Sequence, residues 1–196
     1  MARKSVRALW GEKINSGSVS SPKKIKVNWV RKNSYSGIVL GIDPSLRGTG
    51  LALIEFVKGE AKRFIDSTTV NSKSNATFAQ CLASIFKGVT EMMGEHTISH
   101  VALEQTIYVQ NFKVAQILGA ARGAAIAAAS LKGAEIFEYP PLRVKQAVVG
   151  NGRASKEQVG KMVMQMLRQS DVLPLDESDA AGVAFCHAMT YGNPFN

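Results

Sequence analysis

The chain has 196 residues, 45% hydrophobic and 20% charged, with a formal net charge of +9, which is the composition of a globular protein able to build one substantial core. No segment reads as the roughly 18 uncharged apolar residues of a membrane span, and the N-terminal MARKSVRALWGEKINS lacks the apolar stretch of a secretory signal. Cys81 and Cys186 form neither a CxxC nor a Cys/His pattern, so neither a disulfide framework nor a zinc site is indicated, membrane and secreted classes are not expected, and the reducing cytoplasm is the expected location.

The charge is concentrated at the start of the chain. Residues 1–36 hold nine Lys or Arg (Arg3, Lys4, Arg7, Lys13, Lys23, Lys24, Lys26, Arg31 and Lys32) against Glu12, whereas residues 37–196 hold 15 basic and 14 acidic residues. The segment is serine-rich and has little apolar periodicity, so it is expected to be a flexible basic arm ahead of a near-neutral domain. Such an arm suits a polyanion, because each cation set near a phosphate releases condensed counterions. A solvated extension and an organelle presequence are the alternatives.

From Gly37 the pattern changes. Gly37-Ile-Val-Leu-Gly-Ile-Asp43 reads as a buried strand, followed by a turn over residues 44–50, a second apolar run at 51–57 and a β-branched, alternating strand at 61–70. Phe78, Leu82, Ile85, Phe86, Val89, Met92 and Met93 recur at helical spacing between residues 75 and 94. A short strand follows at His100-Val-Ala-Leu-Glu104, then an Ala-rich helix over about residues 111–131 and a fifth strand at 134–139, stopped by Pro140 and Pro141. Helices are expected near 143–149, 155–169 and 176–189. This order predicts an α/β fold with a mixed five-stranded sheet and helices on both faces.

Four acids stand out by position. Asp43 ends the first strand, Glu104 ends the fourth, and Asp176 and Asp179 share a face at the start of the last helix. If the first and fourth strands are parallel neighbours, the two strand acids emerge at one sheet edge, where open α/β sheets bind ligands. Convergence of four carboxylates calls for a cation. Mg²⁺ fits oxygen donors, and two such ions about 4 Å apart suit phosphodiester hydrolysis. Each acid also has a structural reading: Asp43 as a turn starter, Glu104 in a salt bridge, and Asp176 with Asp179 as a capping box. Residues 44–50 could alternatively cradle a phosphate in a phosphotransferase. His187, about 12 Å along the helix from Asp179, is expected to be a packed histidine, and Met162, Met164 and Met166 core filler.

The order strand-Asp, strand-Glu, helix-Asp resembles the ribonuclease H-like nucleases. The motifs GIDPSLRGTGLALIEF, ALEQTIYVQNFKVAQILGAARGAAIAAA, FEYPPLRVKQAVVGNGRASKEQVGKMV and LDESDAAGVAFCHA further resemble the RuvC family of Holliday junction resolvases, over residues 38–191. The resemblance implies a homodimeric, Mg²⁺-dependent endonuclease, with two ions in the reacting complex and Mn²⁺ able to substitute, that cuts two opposed strands of a four-way DNA junction and works beside a branch-migration complex. It assigns Asp43, Glu104, Asp176 and Asp179 as catalytic metal ligands, Lys156 to the active site and Lys145 to DNA, with Arg143 as a further phosphate contact. The helix bearing Gly119, Ala121, Arg122 and Gly123 resembles the family's dimer helix. Where the family often has a base-stacking phenylalanine, this chain has Ile107 with Tyr108 beside it. The alternatives are a ribonuclease H-like nuclease with another DNA or RNA substrate and a non-cleaving branched-DNA binding module.

Overall fold

The computed structural model describes residues 35–94, 96–105, 111–169 and 172–192. Residues 1–34 of the basic arm, Ile107 and Tyr108 lie outside these residues, while Tyr35 at the arm's end is not free but packs on His100 and His187. Among the described residues ten elements follow one another: β1 Gly37–Asp43, β2 Gly48–Phe56, β3 Arg63–Asn71, α1 Phe78–Met93, β4 His100–Glu104, α2 Phe112–Leu131, β5 Glu135–Tyr139, α3 Pro141–Val149, α4 Lys156–Leu167 and α5 Leu175–Thr190. The sheet order is β3-β2-β1-β4-β5. The first three strands form an antiparallel meander, while β4 and β5 run parallel to β1. This is the expected mixed five-stranded sheet, with element ends shifted by one to three residues.

Alternation along the strands divides the core in two. Leu40, Ile42, Leu51, Leu53, Val101 and Leu103 face α1 and α2, where they meet Ile85, Val89, Ala121 and Ala125. The other parity, Val39, Ala52, Ile54 and Ala102, faces α3, α4 and α5. Asp43 and Glu104 share that second parity and so emerge on the α5 side.

Small residues bring α5 down onto the sheet. A Cβ at Gly41 would lie 2.0 Å from the Ala180 carbonyl oxygen, and one at Gly50 would lie 1.9 Å from that of Asp176. Ala180, Ala181 and Ala184 on the helix are fully buried. With glycine and alanine on both surfaces, backbone packs on backbone, which no larger side chain would permit.

His187 is the packed histidine expected. It is buried between the His100 Nδ1, 2.9 Å from its Nε2, and the Tyr139 hydroxyl, 2.8 Å from its Nδ1, and burial lowers its pKa to about 3, with His100 adding to the shift. Met162 and Met166 pack on the core as expected. One helix, α2, with 20 residues and a mean hydropathy of 1.4, is long and apolar enough to span a bilayer by length and composition, although it is not an uncharged run. It carries Lys113 and Arg122, and Ala121, Ala125, Ala128 and Ala129 are buried in the core.

Gly41→Ala forces α5 away from β1. Overpacking of this kind is expected to cost about 3 kcal/mol or more, a fall in Tm of about 6–12 °C. Thermal denaturation followed by circular dichroism checks this, and an unchanged Tm would mean that the helix does not rest on the sheet at this point.

Candidate active site

The parallel register of β1 and β4 pairs Ile42 with Leu103. One residue further along, Asp43 and Glu104 leave adjacent strands about 4.8 Å apart. The first turns of α5 cross above them. This helix begins at Leu175 after Pro174, which makes no side-chain capping bond, so Asp176 and Asp179 are not the N-cap and N3 of a capping box. Capping boxes are instead formed by Thr77 with Gln80 at α1 and Ser155 with Gln158 at α4. Freed from capping, the Asp176 carboxylate reaches the β2 side, where a Cβ at Gly48 would meet its Oδ2 at 3.1 Å.

Lys156, the first residue of α4, donates a 2.6 Å hydrogen bond to Asp179 Oδ2. The Asp179 side chain is 14% exposed and that of Lys156 66%, so the bond closes the inner part of the cluster while the lysine stem stays in solvent. This bond is the main reason the lysine's pKa is raised. Lys145, on α3, is half-buried and close enough to lower the pKa of Glu104.

The electrostatics record the convergence. Burial raises the Asp43 carboxyl from 3.8 to about 7, with Glu104, Asp179 and Asp176 adding to the shift and Lys156 opposing it. Glu104 is also raised, by burial first and then by Asp179, against Lys156 and Lys145. A buried carboxyl held half-protonated near neutrality is one whose negative charge is under-compensated. Among the described residues no three His, Cys, Asp or Glu side chains are closed around a common point, and Lys156 is the cation in contact. The donor set nevertheless fits a hard divalent ion: carboxylate oxygens only, on three elements, at an edge too negative for one ammonium to balance.

Other sequence candidates fall elsewhere. Arg143 is half-buried on α3, near enough to Cys186 to act on its thiol. Arg122 forms an ion pair with Glu138, fastening α2 to β5. The turn after β1 is not an open phosphate cradle: the Ser45 N–H donates to Thr49 Oγ1 at 3.2 Å, and the buried Thr49 hydroxyl donates back to the Ser45 carbonyl. Sequence reasoning missed Glu177, whose carboxylate accepts hydrogen bonds from Ser67 Oγ and Thr69 Oγ1 on β3. The acid between Asp176 and Asp179 was its only signal.

The raised Asp43 pKa sets a pH dependence. An acid whose pKa is higher folded than unfolded favours the folded state only while protonated, so that contribution is present at low pH and is lost as pH rises from about 4 to about 7. Metal-free protein is therefore expected to lose stability on the order of 2–4 kcal/mol across this window. Asp43→Asn removes the loss, giving a higher Tm than the parent in EDTA at alkaline pH. Calorimetry over the pH range tests this, and parallel profiles for the two proteins would contradict it.

The family model described as crossover junction endodeoxyribonuclease RuvC matches residues 39–187. A protein of that name from Trichlorobacter lovleyi is 44% identical over 153 residues, covering 78% of this chain and 85% of its own. One from Geobacter metallireducens is 42% identical over 154 residues, covering 79% and 93%. Among solved structures, T. thermophilus RuvC in complex with Holliday junction substrate superposes with a TM-score of 0.73 at 28% identity, over 78% of this chain and 93% of that one. With a ribonuclease H-like sheet, acids gathered at one edge of it and sequence agreement across most of its length, the chain belongs to the RuvC family of crossover junction endodeoxyribonucleases.

Proposed function

We propose that this chain is a structure-selective endonuclease that resolves four-way DNA junctions during recombination and repair, hydrolysing phosphodiester bonds in two opposed strands. The observation that carries the reading is the meeting of Asp43, Glu104 and Asp179 with Lys156 at one edge of the sheet, Asp176 beside them. In this reading the four carboxylates hold Mg²⁺, two ions in the reacting complex, with Mn²⁺ able to substitute. When bound there, such a cation would supply an activated water and charge stabilisation for the leaving oxygen.

The chain's own groups do the rest. Asp43 and Glu104 orient the scissile phosphate's environment from rigid strand ends, and the ionisation of Asp43 is completed as positive charge arrives. Lys156, already poised on Asp179, compensates phosphate charge at the cut. Lys145 and Arg143 on α3 contact the DNA backbone, and Ile107 or Tyr108 meets unpaired bases at the junction centre. Burial of Asp43 keeps bulk water from screening these charges.

Two cuts need two sites, and a twofold homodimer supplies them. The surface suited to it is the outer face of α2: Phe112 is 76% and Val114 41% exposed, and nothing lies within 4 Å of a Cβ built at Gly119 or Gly123. Small residues there permit close approach of a second copy. Arg122 supports that face from behind through Glu138. A branch-migration complex is the further partner in this reading. The cytoplasm is the proposed location, in keeping with two buried, free cysteines.

Asp179→Asn is expected to lower Mg²⁺-dependent cleavage of a synthetic four-way junction more than about a hundredfold, beyond the cost of losing a ligand's supporting partner, while junction binding in EDTA survives. The parent is expected to make paired, symmetric nicks on sequencing gels. Retained cleavage by the variant, or cutting of linear duplex as readily as junctions, would overturn the reading.

The basic arm, residues 1–36, is proposed to contact DNA phosphates. Deleting it should weaken junction affinity and flatten the slope of log affinity against log salt. An equal slope with and without the arm would assign those charges to another partner.

A further inference from the structure

The first turns of α5 carry an acid that the metal reading leaves unused. Glu177 is half-buried, and its two carboxylate oxygens are taken separately: Ser67 Oγ donates to Oε2 at 2.5 Å and Thr69 Oγ1 to Oε1 at 3.1 Å. Ser67 and Thr69 are two residues apart on β3 and therefore lie on one face. Their cross-strand partners on β2 are Ala52 and Gly50, the latter being the glycine that meets the Asp176 carbonyl.

These contacts fix different degrees of freedom. The Gly41 and Gly50 contacts set how closely α5 approaches the sheet, but a helix resting on glycines can still roll about its axis. Successive residues are about 100° apart around a helix, so Glu177 reaches toward β3 while Asp176 and Asp179 share a neighbouring face. Pro174 offers no side-chain cap to hold the first turn. A carboxylate gripped by two hydroxyls at different points on one strand resists roll in either direction.

We propose that Glu177 is a positioning residue: its paired hydrogen bonds to Ser67 and Thr69 set the roll of α5 that aims Asp176 and Asp179 at the cation site beside Asp43. The inference rests on the metal reading above, but it concerns a residue outside the ligand set.

The test is Mn²⁺ binding to the full-length, metal-free protein, measured by calorimetry at a temperature where circular dichroism shows each variant folded. Glu177→Ala and the double variant Ser67→Ala/Thr69→Val should each weaken binding about tenfold, the scale of lost hydrogen bonds to a charged group. Combining them should add little. Glu177→Gln, which can accept from Ser67 and donate to Thr69, should stay within about threefold of the parent. Wild-type affinity in Glu177→Ala would overturn the proposal, and so would Glu177→Gln as weak as Glu177→Ala, since that result places the charge itself at the metal. If Glu177→Ala fails to fold, the Ser67/Thr69 variant decides alone. Asp179→Asn separates the two levels: undiminished Mn²⁺ binding there removes the metal reading, whereas weakening there with no effect at Glu177 removes only the positioning role.

Discussion

Bringing Asp43, Glu104, Asp176 and Asp179 to one sheet edge works against Coulomb repulsion and desolvation at once, and the rest of the structure is organised around that strain. The Asp43 carboxyl registers it most strongly, held at about 7 instead of 3.8. Among the described residues one ammonium, that of Lys156, is in contact, and it is bonded to Asp179. In the proposed reading the site has two stable states: partly protonated and lysine-paired, or fully ionised around divalent cations. Sites that must take up metal and a phosphodiester together gain from such a poise, because the charge needed for binding is developed only as the ligands arrive.

The fold enforces the meeting through a simple parity. Residues of one parity on β1 and β4 face α1 and α2 with leucine, isoleucine and valine, while the other parity faces α5 with Gly41, Ala102 and the two acids. Small residues on both surfaces let α5 lie on the sheet, and its start then falls over the strand ends. The core and the site are one piece of packing. The same helix ends in the buried His187, held by His100 and Tyr139, so both ends of the element carrying Asp176 and Asp179 are tied to the sheet.

Much of this was legible in the sequence, for physical reasons. The apolar run ending in Asp43 and the short run ending in Glu104 have the length and composition of buried strands, but that β4 pairs with β1 was only a condition of the sequence reading, since the helix between β3 and β4 sets strand direction and not which strand becomes the neighbour. Helical rise separated His187 from Asp179 and left a packed or hydrogen-bonded role as its expected one. Asp176 and Asp179 were harder, because the first turn of a helix attracts acids whatever its function, and only coordinates separate a ligand face from a cap. The tight contacts at Gly41 and Gly50 left no trace, since a strand glycine does not announce what approaches it. Glu177 was hidden for the same reason: its hydroxyl partners Ser67 and Thr69 lie more than a hundred residues away in a strand whose β-branched pattern already explained them.

The proposed activity requires cations bound among the four carboxylates. Anomalous diffraction from crystals equilibrated with Mn²⁺ addresses this most directly. A peak within about 2.5 Å of Asp43 and of at least one α5 carboxylate oxygen, with Lys156 released from Asp179, is the predicted result. Saturating Mn²⁺ with no peak at this edge of the sheet, or a peak only elsewhere on the molecule, would contradict it.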